Sequence, residues 1–441
     1  MKWKRYPSYK DSGVEWLGEV PEHWLIIRLK FGSNIAFSNV DKNTVDSELA
    51  VRLCNYTDVY YNEYIDNDNN FMTASATQRE ISNFTLKKHD VLITKDSESR
   101  DDIAVSACIN KDMGNVLCGY HLALIRPKPE TFFGPYLLRA FMASNINVQF
   151  QADATGITRY SLSKGVVGGA RFPSPPNSEQ KTIAAFLDRQ TSRIDTLISK
   201  KQRQVELLEE KRNALITHAV TVGLDPHVKM KDSGVEWLGE VPEHWDLASV
   251  WILFSLGRGR VISALEISEN PGPYPVYSSQ TENEGIFGYL DTYDFEGDYL
   301  TWTTDGANAG TVFHRTGRFN CTNVCGTMKA KNIRVCYRYY FYILNIITKG
   351  YVRQDINPKL MNDVMASIKV PYMDPYEQQR IVNFLDRETS RIDSLKDKIQ
   401  QSIETLQEYR SALITAAVTG QIDVREEVYP CRDNTQRLRL R

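Results

Sequence analysis

Lys10-Asp-Ser-Gly-Val-Glu-Trp-Leu-Gly-Glu-Val-Pro-Glu-His-Trp24 is written a second time, letter for letter, from Lys231 to Trp245, so the repeat is offset by 221. A stretch with four acids and two tryptophans has no compositional bias that would repeat it by accident, so the chain is internally duplicated. The offset is far longer than the roughly 20–50 residues of solenoid and propeller repeats, so the repeated object is domain-sized.

A second block repeats further on. EQKTIAAFLDRQTSRIDTL from Glu179 matches EQQRIVNFLDRETSRIDSL from Glu377, and the match continues to RNALITHAVT (212–221) and RSALITAAVT (410–419), all at an offset of 198. The separation of 155 between Trp24 and Glu179 becomes 132 between Trp245 and Glu377. Both ends repeat and the middle varies. The middles share a skeleton: Asp90-Val-Leu-Ile-Thr-Lys-Asp96 aligns with Asp298-Tyr-Leu-Thr-Trp-Thr-Thr304 as a strand after a turn, and Tyr136–Phe150 and Tyr339–Ile347 read as helices. Gly156-Ile-Thr-Arg159 and Gly350-Tyr-Val-Arg353 then share a G-x-x-R pattern. Each middle is expected to be one mixed α/β domain.

The repeated C-terminal block reads as a long helix. Asp374 offers an N-cap, Pro375 a first helical residue and Glu377 an acid three residues after the cap; Asn177 and Gln180 can do the same work in the first copy. Gly223 and Gly420 fall where each helix should stop. About 40 residues make a helix of about 60 Å. Ile392, Ile399, Leu406 and Leu413 recur every seven residues beside Leu395, Tyr409 and Ala416, and Ile194, Lys201, Leu208 and Leu215 recur beside Leu197; Ile198, Val205 and Ile403 widen the stripe. A seven-residue period asks for another long helix as partner. The other copy is the simplest one, giving an antiparallel pair with pseudo-twofold symmetry and a globular domain at each end; a coiled coil between two chains is the alternative.

Composition bounds the rest. At 441 residues, 42% hydrophobic and 24% charged, the chain fits two to four ordinary globular domains. No apolar run reaches membrane-spanning length, and the N-terminus lacks a secretory signal, so a cytoplasmic location is expected. Seven scattered cysteines give no disulfide framework, and Cys321 and Cys325 with His314 are too few for zinc, so no metal is expected. A net charge of −2 excludes a wholly basic nucleic-acid binder but not one with a basic face.

Marks of catalysis are missing. There is no phosphate-binding loop of the G-x-x-x-x-G-K-[ST] type. Ser174-Pro-Pro-Asn177 has Asn where an aminomethyltransferase tetrapeptide carries an aromatic ring, and Glu209-Glu-Lys211 has nuclease letters inside a long helix, where alternating charge marks a solvated face. His23 and His244, between Glu and Trp in both copies, read as hydrogen-bonded packing residues.

The duplicated V-P-E-H-W, the helix-start block E-Q-x-x-I-x-x-F-L-D-x-x-[ST]-x-R-I-D-x-L after Pro175 and Pro371, and the helix end A-L-I-T-x-A-V-T form an ordered set that occurs twice. This organisation resembles the specificity subunit of type I restriction-modification enzymes over nearly the whole chain. The resemblance implies an α+β chain of two similar mixed α/β target recognition domains separated by two long helices packed as an antiparallel coiled coil. The expected segments are a repeat element at 1–24, a recognition domain at 25–176, a long helix at 177–222, the second repeat element at 223–245, a second recognition domain at 246–373, a second long helix at 374–420 and a basic tail at 421–441.

It also implies a non-catalytic, DNA-reading subunit. Each domain would read half of a bipartite, asymmetric site in double-stranded DNA, and the helices would set the spacer and dock two methyltransferase subunits, with two motor/nuclease subunits joining for restriction. No cofactor is expected in this chain; S-adenosylmethionine, ATP and Mg belong to the partners. Candidate DNA contacts are Lys87, Lys88, Lys95, Arg100, Arg159 and Tyr160 in the first domain, and Arg258, Arg260, Lys329, Arg353 and Gln354 in the second. Arg159 and Arg353, matched in G-x-x-R, are expected to make one shared phosphate contact. A two-domain coiled-coil scaffold for protein partners, and an enzyme of unrecognised motif, remain as alternatives.

Overall fold

The computed structural model describes residues 3–67, 69–353 and 357–426. These form two compact units: residues up to 200 together with those from 401, and residues 201–400. Each unit holds a recognition domain and half of each long helix, α1 (Asn177–Thr221) and α2 (Pro375–Val418). The helices have 45 and 44 residues. At about 1.5 Å per residue each runs about 67 Å.

Helix α2 starts as its letters ask: Asp374 Oδ1 accepts from Tyr376 N at 2.9 Å and Pro375 is the first helical residue, an N-cap followed by proline at the first turn. Both helices stop at a glycine in the left-handed region, Gly223 (φ +87°) and Gly420 (φ +73°), the conformation that ends a helix most readily without a Cβ. The seam differs from the expected one. Ile194, Ile198, Lys201, Val205, Leu208, Arg212 and Leu215, and their equivalents Ile392, Lys396, Ile399, Ile403, Leu406, Arg410 and Leu413, are buried or half-buried, whereas Leu197, Leu395 and Tyr409 are exposed. The partner helix covers the side four residues on from each heptad position, and not the side three residues on.

Within unit 2, Arg212 meets Asp393 and Glu209 meets Lys396 across the helix pair; three residues up α1 correspond to three residues down α2, so the helices are antiparallel. Of the Glu209-Glu-Lys211 letters, Glu209 serves helix pairing, while Glu210 and Lys211 are exposed. Within unit 1 the same Arg–Asp pair recurs with the copies exchanged, Arg410 to Asp195 at 2.8 Å.

In unit 1 the main sheet comprises β1 (Ser33–Phe37), β2 (Tyr64–Ile65), β3 (Val91–Thr94), β4 (Ser106–Ile109) and β5 (Leu122–Pro127), in the order β1-β5-β3-β4-β2. Val91–Thr94 and Leu122–Ile125 are buried at every position, since the sheet is covered on both faces. Unit 2 repeats the arrangement with β6 (Phe254–Arg258), β7 (Tyr299–Thr303), β8 (Val312–Arg315) and β9 (Cys325–Ala330), in the order β6-β9-β7-β8. The Tyr136–Phe150 helix is broken at Ala143, which is extended (φ −72°, ψ 125°), whereas the second copy is one helix, Tyr337–Tyr351.

Sheet register corrects the alignment of the middles. Leu124 faces Ala36 on one side and Leu92 on the other; in unit 2 Thr327 faces Gly257 and Thr301. Ala36 and Gly257 keep the offset of 221, so Leu92 corresponds to Thr301, one position later than the sequence comparison has it. A one-residue slip exchanges the two faces of a strand. It also brings Asp96 into correspondence with Asp305.

Candidate nucleic-acid interface

The repeated letters fasten each recognition domain to the helices. At the start of α1, Glu179 accepts from Trp24 Nε1 at 3.1 Å and Tyr6 O–H at 2.6 Å, and bonds His23 Nε2 at 2.9 Å. Glu377 does the same for Trp245 (3.1 Å) and His244 (2.9 Å). Its carboxylate holds this clasp, and does not close the capping box that its spacing suggests. The next residue reaches the other way. Gln180 accepts from Phe133 N and donates to the carbonyls of Thr131 and Pro175, and Gln378 accepts from Cys336 N and donates to those of Arg334 and Met373. Both glutamines are fully buried, so each amide needs these partners. Two adjacent letters thus tie a clasp and a recognition domain to one helix start. Pro21 and Trp24 also pack on Gly420, and Pro242 and Trp245 on Gly223, at the ends of the opposite helices.

Beyond β3 and β7 the two domains share a backbone frame. Leu162 N–H donates to Lys95 O and Lys95 N–H to His121 O, at 2.8 and 3.1 Å; Leu360 N–H donates to Thr304 O and Thr304 N–H to Val324 O, both at 2.9 Å. Asp96 then bridges to Ser161, and Asp305 to Lys359.

In unit 1 this frame gathers four of the six candidates. Lys95 Nζ donates to Ser38 O and lies 4.5 Å over the Tyr120 ring; Tyr160 pairs with Ser97 in a two-residue strand and lies under Arg100; Arg159 reaches His121 Nδ1 at 3.4 Å. Of the four, Arg159 lines a cavity of about 570 Å³, together with Tyr56, Tyr60, Asp96 and His121 among others. Lys87 and Lys88 stand apart, on a cavity of about 540 Å³ with Lys128 and Lys181 beside the start of α1. Partial burial, then Lys88 and Lys181, push the pKa of His89 down there.

In unit 2 Arg258 donates to Asn323 O and faces Asp305 at 3.5 Å, with Lys359 on the same carboxylate at 3.7 Å. Arg260 is held by Glu266 (2.6 Å) and Asp294 (2.9 Å). Lys329 is exposed, 5.0 Å over the Tyr299 ring. Gln354 lies outside the described residues. Arg353 and Arg159 are not equivalent, contrary to the G-x-x-R match: Thr155 bridges to Ser161 and Arg353 to Lys359, so Arg353 corresponds to Thr155 and Arg159 to Asn357. The letters G-x-x-R coincide four positions out of structural register, which removes the case for one shared phosphate contact. Sequence reasoning missed Asp96, His121, Asp305 and Lys359, because strand register alone brings them to the frame.

The chain matches the family described as the type I restriction modification DNA specificity domain at residues 37–207 and 242–405. It belongs to that family, a class of DNA-recognition subunits in type I restriction-modification systems. A putative type I specificity subunit of Mycoplasma pneumoniae, S.MpnORF289P N-terminus, is 45% identical over 130 residues, 29% of this chain and 70% of the relative. A putative type I restriction enzyme MjaX specificity subunit of Methanocaldococcus jannaschii is 23% identical over 452 residues, covering 96% of this chain and 99% of the relative. Two solved structures share the fold. One, from work on complex assembly and conformational transition of the type I R-M system, has TM-score 0.71 at 13% identity and covers 90% of this chain and 98% of its own. The other, an HsdS subunit from Thermoanaerobacter tengcongensis, has TM-score 0.53 at 14% identity and covers 91% and 98%. Among the described residues no helix is long and apolar enough to cross a membrane.

Proposed function

We propose that each recognition domain reads one half of a bipartite, asymmetric DNA site, and that α1 and α2 set the spacer and dock the methyltransferase subunits. The observation that carries this is the doubled fastening: Glu179 with Gln180 and Glu377 with Gln378 tie two differently surfaced domains to helix starts by the same bonds. A device that keeps the mounting and varies the mounted surface suits two independent readings. The basic candidates above position the domains on phosphates and the fixed polar groups read base edges. The chain itself carries no catalytic group in this reading. Two methyltransferase subunits supply S-adenosylmethionine chemistry, and two motor/nuclease subunits bring ATP and Mg.

The test is genome-wide mapping of N6-methyladenine in a host expressing this chain with a type I methyltransferase subunit, against the same host without the chain. A new bipartite motif is expected; copurification without any motif overturns the reading. Inserting one heptad after Val205 in α1 and one after Ile403 in α2 preserves the seam and adds about 10 Å, about three base-pair rises. The spacer should lengthen by about three base pairs with both half-sites unchanged.

A further inference from the structure

Asp96 and Asp305 occupy one place in the shared frame, each directly after the residue that both donates to the neighbouring strand and accepts from the hairpin. Both are mostly covered, with side chains 17% and 20% exposed. A carboxylate on a surface that meets a polyanion opposes binding unless cations cancel it. Here Asp305 is flanked by two cations and Asp96 is hydrogen-bonded by a histidine, so the partners differ and come from different elements. In unit 1 His121 Nδ1 lies 3.0 Å from Asp96 Oδ2, with Arg159 3.4 Å from the same ring nitrogen. In unit 2 Arg258 and Lys359 flank Asp305, and Arg258 Nε donates to Asn323 O.

Resting on the half-site reading above, we propose that Asp96 and Asp305 are positioning residues for sequence reading, Asp96 orienting His121 for the first half-site and Asp305 orienting Arg258 for the second. In the tautomer that donates Nδ1–H to Asp96, the His121 ring is held in one orientation and its Nε2 is left to accept a hydrogen bond. That is complementary to the amino group of adenine or cytosine in the major groove. Arg258, engaged through Nε and Nη2, is held in one orientation; the rest of its planar fork is a donor set complementary to guanine O6 and N7. One frame with an acceptor in one unit and a donor in the other gives two half-sites that differ. The carboxylates keep these groups from being captured by phosphates, which carry no sequence information.

The experiment maps N6-methyladenine motifs for the full chain with its methyltransferase subunit, as wild type and as Asp96→Asn, His121→Gln, Asp305→Asn and Arg258→Lys. Asp305→Asn and Arg258→Lys should relax the same letter of one half-site, lowering its preference about 10- to 100-fold, with the other half-site unchanged. Asp96→Asn and His121→Gln should do the same to one letter of the other half-site. Two outcomes overturn the inference: variants that keep every letter, or variants that lose methylation uniformly at all sequences, the mark of a merely structural ion pair. If the wild type yields no bipartite motif, the half-site reading itself fails, a separate result.

Discussion

In unit 1 the guanidinium of Arg410 meets Asp195 across the helix pair and also reaches Glu63 of the recognition domain, whose carboxylate bonds Arg139 at 2.6 Å; Arg139 in turn holds Asp188 of α1. In unit 2 the equivalent Arg212 has Asp393 at 3.5 Å, and its buried Nε makes no hydrogen bond. The letters that form the two pairs are the same; what differs is a residue of the variable middle. The repeat specifies which residues face each other, while the recognition domain decides whether the buried cation is saturated. Two copies of one mounting can therefore differ in how firmly they hold.

The largest expected contrast lies at the clasps. Glu179 takes three donors and is buried, whereas Glu377 takes two and its side chain is more exposed. Glu179→Ala should cost about 4 kcal/mol and Glu377→Ala about 2 kcal/mol, since each buried donor left unsatisfied costs about 1–3 kcal/mol. Urea unfolding of the two variants reads the difference, and equal losses would break the comparison.

The glycine stops come next. A Cβ on Gly420 would lie 2.3 Å from Pro21, whereas on Gly223 its nearest neighbour is Trp245 at 3.3 Å, both at positive φ. Gly420→Ala should cost about 3 kcal/mol, from left-handed strain plus overlap, and Gly223→Ala about 1 kcal/mol. Thermal unfolding of each variant checks the ratio.

At the crossings, Arg410→Ala removes one of the two cations on Glu63 and the cation on Asp195 and should cost about 2 kcal/mol, discounted because both carboxylates are partly solvated. Arg212→Ala should cost below about 1 kcal/mol. Glu63→Gln combined with Arg410→Ala in a double-mutant cycle sharpens this; independent effects would show that the network is not coupled.

The smallest effect is on acid stability. Burial raises the pKa of the Glu63 carboxyl, but Arg139 and Arg410 outweigh it and hold the folded value below the ordinary 4.5. A depressed carboxylate contributes its stability in full above the ordinary value and loses it as pH falls through the folded one. Between about pH 5 and pH 3 the wild type should lose up to about 1 kcal/mol more than Glu63→Gln, and parallel pH curves would contradict that.

Much of this architecture was legible in letters. The clasp repeat at 221 and the helix repeat at 198 locate the mounting, the heptads announce a long helix pair, and Gly223 and Gly420 mark its ends. The seam was half legible: Ile194 and Ile392 stand out, but Leu197 and Leu395 look equally apolar, and only the antiparallel partner selects the side carrying Ile198 and Lys396. The candidate site was least legible. Arg159 and Arg353 match by letter and not by place, while Asp96 and Asp305 match by place among neighbours that differ.

By itself, then, the sequence determined that one mounting is made twice, because a clasp and a helix start are local patterns whose partners repeat with them. Only the tertiary structure decided which residues of the variable middles are equivalent and what they touch. Strand register and hairpin closure are long-range choices, and a one-residue slip that leaves the letters plausible turns every side chain to the opposite face.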